Sequence, residues 1–80
     1  MNFKPKQWQY LVNRWHLTPK EAEVAKLVCR GYDNERIAGE LGIRYNTVRV
    51  HLVHIFKKAG VSGKPALTIK FIDIIQKEKI

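Results

Sequence analysis

Between Arg44 and Lys58 the sequence runs RYNTVRVHLVHIFKK, and its side chains are of the types that read nucleic-acid base edges. Asn46 can pair with adenine through two hydrogen bonds, Arg49 can reach O6 and N7 of guanine, and Val50 and Val53 suit thymine methyl groups. Arg44, Thr47, His54, Lys57 and Lys58 carry the donors and positive charge that hold phosphates and fix register without reading sequence. At about 100° per residue, a helix gathers Val48, Leu52, Ile55, Phe56 and Ala59 on one side as an ordinary core stripe. The same turn points Val50 and Val53 the other way, among Asn46, Thr47, His54 and Lys57. The rival reading of those two valines is a protein interface, or a face covered by the N-terminal segment. Two valines make a small patch, and interface cores are depleted of the cations that surround it. His51 and His54 stand three apart, but two ligands without a third or fourth do not make a zinc site, so His51 is read as the edge of the core.

The charge balance points the same way. Eighty residues carry a formal net charge of +8 and a pI near 9.9, which attracts polyanions. Residues 43 to 60 hold Arg44, Arg49, Lys57 and Lys58 without an acid, whereas Asp33, Glu35 and Glu40 cluster just before. Catalysis is not expected. No nucleophile, base and orienting group fall at a telling spacing, there is no glycine-rich phosphate loop, and the chain is too short to wall off a dry pocket. No cofactor or metal is implied. The single Cys29 lies among Val24, Leu27 and Val28 and reads as a small buried apolar residue, consistent with a reducing, cytoplasmic setting. No run approaches the roughly 18 apolar residues of a membrane span, and the first ten residues lack a signal-peptide apolar region.

A chain of this length supports one small core, burying about 60% of its unfolded surface. Its helix punctuation is clear. Thr18 is an N-cap, followed by Pro19 at the first helical position and Glu21 completing a Thr-x-x-Glu capping box, with Gly31 as exit. Asp33 caps a second helix that carries Glu35 in its first turn and stops at Gly42. A third runs from about Tyr45 to Ala59 and ends at Gly60. A fourth follows Ser62 or Gly63 as cap, with Pro65 in its first turn, and runs towards Gln76. Ahead of these, residues 1–16 read as an N-terminal extension. Trp8, Leu11 or Val12, and Trp15 recur there at helical spacing, which predicts a short amphipathic helix whose tryptophans cover the open side of the core. Residues 17–80 form the main domain, and the fold class is all-α.

Only Gly42, Ile43 and Arg44 separate the second and third of these helices, as in a helix-turn-helix with a tight glycine turn. Ala38 is small enough for close approach, Gly42 can take a positive φ, and Val48 fills the angle between the helices. In that arrangement the segment of about 45–59 is the recognition helix, entering a major groove about 12 Å wide.

These residues resemble the LuxR-type, or GerE-like, helix-turn-helix domain of bacterial transcription regulators, over about Leu17 to Ile75. The opening "LTxxExEV" appears as Leu17, Thr18, Glu21, Glu23 and Val24. "IAxxLxI" appears as Ile37, Ala38, Leu41 and Ile43, and "TVxxHxxxIxxKxGV" as Thr47, Val48, His51, Ile55, Lys58, Gly60 and Val61. The resemblance implies a four-helix domain, a DNA-reading third helix, base contacts at Arg49 and Val50, and a last helix that often mediates dimerisation. Ala22 stands where the family often has arginine, and Ala25 where a larger aliphatic is usual, so the first of the four helices is expected to lean on the tryptophan segment. Arg44 replaces the usual serine or aspartate cap, losing roughly 1 kcal/mol of capping while placing a cation near the expected phosphate backbone.

The last helix carries two apolar arcs, Leu67, Phe71, Ile74 and Ile75 on one and Ala66, Ile69 and Ile72 on the other. One serves the core. The second is surplus in a monomer and predicts a twofold homodimer, unless Trp8 and Trp15 fold back over it. The expected function is sequence-specific binding of double-stranded DNA in transcription regulation. The alternative is a protein-interaction module of the same fold that docks on RNA polymerase, a sigma factor or another regulatory protein.

Overall fold

The computed structural model describes residues 3–80, and these contain five helices and no strand. They are α1 (Pro5–Trp15), α2 (Pro19–Cys29), α3 (Asn34–Leu41), α4 (Tyr45–Ala59) and α5 (Lys64–Glu78). The start of α2 follows its side chains closely. Thr18 Oγ1 accepts from the Glu21 N–H at 3.1 Å, and Glu21 Oε1 accepts from the Thr18 N–H at 2.9 Å, so two otherwise orphaned donors are satisfied reciprocally. Asp33 Oδ1 accepts from the Arg36 N–H at 2.8 Å and caps α3. Arg44 supplies no cap to α4, in line with its missing side-chain oxygen. Gly42 ends α3 in the left-handed region at φ 63°, and α4 begins after two further residues.

The core is one cluster to which every helix contributes. Leu11, Val24, Ile37, Val48, Ile55, Leu67 and Phe71 are fully buried. The long helix α4 packs against both α2 and α3, so it is held along its inner length and not only at its ends. Ala38 and Val48 are both buried at the α3–α4 crossing, the small and the branched residue that the tight turn demands.

The N-terminal segment forms a helix of its own and enters the same core. Leu11, not Val12, is the fully buried aliphatic. Trp15 stacks on Phe71 at 5.3 Å with 24° between planes, and Trp8 meets the same ring edge-on at 5.8 Å. Polar contacts close the far end of the pair: Tyr10 Oη donates to Glu78 at 2.8 Å, Gln7 Nε2 donates to the Ile80 carbonyl at 3.0 Å, and Arg14 lies 3.8 Å from Glu78. These contacts accompany an α5 that continues to Glu78, past the Gln76 expected from sequence. The tryptophans thus meet the inner arc of α5, which is buried at Leu67, Phe71 and Ile75. On the second arc Ala66 and Ile72 are half-buried and Ile69 remains 66% exposed.

Candidate nucleic-acid interface

Helix α4 is two-faced. Val48, Leu52, Ile55 and Ala59 are buried, with Phe56 packed partly against them. On the other side Val50 and Val53 are 48% and 49% exposed, and Asn46, Thr47, Arg49, His54 and Lys57 are exposed beside them. Burial on one side fixes the helix; none of the described residues covers Val50 and Val53 on the other. Asn46, Arg49, Val50 and Val53, at successive spacings of three, one and three, line one open groove of about 410 Å³ together with Leu52 and Phe56. The four proposed base readers therefore share a surface. Tyr45, in the first turn of α4, adds a half-exposed ring near Arg44.

Several cations elsewhere on the molecule are engaged. Lys20 is paired with Glu23, Lys77 with Asp73 and Arg14 with Glu78. Arg36 lies 3.7 Å above the Tyr32 ring, and Lys70 donates to the Ala59 carbonyl at 2.6 Å. Arg44, Arg49 and Lys57 have no such partner among the described residues. Uncompensated cations around half-exposed valines favour a polyanion that also offers apolar edges.

Lys58 departs from the expectation that it serves as a phosphate ligand. Its Nζ donates to Glu21 Oε1 at 2.6 Å and to the His16 carbonyl at 3.0 Å. Glu21 is only 3% exposed, and a buried carboxylate requires a paired cation. Lys58 answers that need, so its ammonium is engaged inward. Burial pushes the Glu21 carboxyl up, but the hydrogen bond from Lys58, the Thr18 N–H and the positive field of Lys58 and His54 outweigh it and hold the carboxyl below its ordinary value. His54 Nδ1 sits 3.7 Å from Glu21 Oε2 while its side chain remains 54% exposed, so this residue touches both the internal pair and the outer face. His51 is half-buried, and among the described residues no three His, Cys, Asp or Glu side chains gather as a metal site.

Two side chains from outside α4 also line the groove: Asn34, the first residue of α3, and Lys64, the first residue of α5. A periodicity argument along one helix does not reach them, because they are brought to α4 by chain reversals at Gly42 and Gly60.

Comparison with protein families matches residues 16–71 to GerE, the luxR family of bacterial regulatory proteins. The chain belongs to that family. The match spans α2, α3, α4 and the first half of α5, so the luxR-type helix-turn-helix includes the two-faced helix and its supports, while α1 lies outside it. No solved structure matches the chain. Membership makes this a DNA-binding helix-turn-helix domain of a bacterial regulatory protein in general.

Proposed function

We propose that this chain binds double-stranded DNA sequence-specifically as a transcription regulator, with α4 in the major groove. The observation that carries the reading is the exposed, acid-free face of α4 opposite its buried stripe. In this reading Asn46, Arg49, Val50 and Val53 touch bases, while Arg44, Thr47, His54 and Lys57 hold phosphates. A twofold dimer through Ala66, Ile69 and Ile72 of α5 would present two recognition helices to half-sites about 34 to 36 Å apart or a multiple of that. The exposure of Ile69, beyond reach of the tryptophan cover, supports that pairing.

Selection of bound duplexes from a random pool, followed by titration at several salt concentrations, tests the reading. Arg49→Ala is expected to cost about 1–3 kcal/mol and to relax preference at one position of the half-site. Lys57→Ala is expected to weaken all duplexes alike and to make the salt dependence shallower by about one unit of slope. Unchanged affinity and preference in Arg49→Ala would mean that the reading face lies elsewhere. A wild-type chain that binds no duplex at low or moderate salt would leave the domain as a protein-docking module.

A further inference from the structure

Glu21 and His54 join the interior of the domain to its outer face. Lys58 Nζ donates to Glu21 Oε1 at 2.6 Å, and the other carboxylate oxygen, Oε2, lies 3.7 Å from His54 Nδ1. At that separation the second contact is one of charge and not a hydrogen bond. The carboxylate is almost sealed from water, whereas the imidazole is 54% exposed on the side of α4 that carries Lys57. An ionised carboxylate only accepts, so it favours a proton on the ring nitrogen turned towards it. A neutral imidazole has a single N–H; with that hydrogen on Nδ1, Nε2 is an acceptor, and so are phosphate oxygens. The ring can donate to a phosphate through Nε2 only when it carries a second proton, and a nearby carboxylate favours that charged form. Glu21 and Lys58 cancel each other, so the cluster meets a duplex as a neutral group when the ring is neutral and with one positive charge when it is protonated.

We propose that Glu21 is a positioning residue acting through His54: it draws Nδ1 inward and favours the imidazolium, Nε2–H then donates to a backbone phosphate, and duplex binding takes up a proton. The inference rests on the outer face of α4 meeting DNA, and adds that affinity rises as pH falls through the range of about 8 to 5 in which imidazoles change charge. The groups around the ring leave it this role. On α4, His51 stands three positions earlier and is half-buried, and Lys57 and Lys58 follow; lysine side chains ordinarily change charge only well above that range. From α2 the facing group is Glu21, while Lys20 before it is paired with Glu23. His16, between α1 and α2, gives its carbonyl to Lys58. Helix α1 contains no acid, and among the described residues no acid of α3 or α5 forms an ion pair with His54 within 4 Å. Because a phosphate contact carries no base preference, the proton sets affinity and leaves sequence choice to Arg49 and its neighbours.

The test uses the full chain and a labelled random-sequence duplex, titrated by fluorescence anisotropy at one salt concentration from about pH 8 down to about pH 6, with thermal unfolding at each pH. The wild type is expected to tighten several-fold as pH falls, by no more than about tenfold per pH unit for one proton. His54→Gln is expected to lose that gain and His54→Lys to bind tightly at every pH, whereas His16→Gln and His51→Gln keep the wild-type profile. Glu21→Gln leaves the Lys58 cation beside the ring without its carboxylate, so its pH midpoint is expected to move to lower pH; a merely structural role would weaken binding equally at all pH and would remove Glu21 from the proposal. A wild type that binds with the same affinity throughout, or a His54→Gln that retains the full pH dependence, overturns the inference while the reading of α4 stands. A wild type that binds no duplex at any pH overturns both.

Discussion

At the scale of single residues, Glu21 does more than its place in a helix start implies. One carboxylate closes the α2 cap, neutralises Lys58 of α4 and lies beside His54 on the same helix. The pair therefore ties the cap of one helix to the C-terminal half of another, and Lys58 serves that join. Lys58→Ala leaves the carboxylate buried without its cation and is expected to destabilise the domain by about 1–3 kcal/mol at neutral pH, measured by urea unfolding. The pH dependence has a defined sign. The folded carboxyl lies below its ordinary value of 4.5, so its stabilisation is complete above that value and is lost as pH falls through the folded one. In Lys58→Ala the burial penalty acts without the cation, so the difference between wild type and variant should shrink as acid protonates Glu21. A difference that persists unchanged into acid would place the effect in packing of the Lys58 stem.

At the scale of elements, α4 combines a firmly packed stripe with a weak start. Its N-cap, Arg44, makes no capping hydrogen bond, whereas α2 and α3 are capped by Thr18 and Asp33. Stability is forgone at the end of the helix that, in the proposed reading, enters the groove first and turns a cation towards the phosphates. Arg44→Ser is expected to raise stability by about 0.5–2 kcal/mol through the restored cap. The same change is expected to weaken random-duplex binding and flatten its salt dependence. Higher melting temperature with unchanged salt slope would remove Arg44 from the phosphate contacts. Helix α1 acts in the opposite sense and adds burial: Leu11 and Trp8 are buried in the shared core, and Trp8 and Trp15 both meet the Phe71 ring.

At the scale of the whole molecule, Ile69, at 66%, is the most exposed large apolar side chain among the described residues, on the arc of α5 turned away from Phe71. A symmetric pairing of that arc would bury it and set the spacing of two α4 helices at once. Sedimentation from micromolar to millimolar concentration is expected to show dimer formation in the wild type and a monomer throughout in Ile69→Lys, with equal helix content by circular dichroism. On DNA, the variant is expected to lose more affinity for paired half-sites than for a single one, because only the paired site rewards a joined dimer. A wild type that stays monomeric over the full range would end the dimer proposal.

Periodicity and punctuation in the chain were sufficient to locate α2, α3 and α4, because caps, prolines and glycines act within a few residues of where they stand. They also separated the Val48, Leu52, Ile55 and Ala59 stripe from the outward Val50 and Val53, since a helix converts spacing directly into direction. Tertiary structure decided what depends on distant parts of the chain meeting. Lys58 faces inward because Glu21, thirty-seven positions earlier, is buried beside it; Phe71 is roofed by Trp8 and Trp15 because α1 returns to α5; and Asn34 and Lys64 reach the α4 groove only through two glycine turns. A local pattern fixes which way a side chain leaves its own helix, whereas the charge or ring that it meets is set by packing between helices.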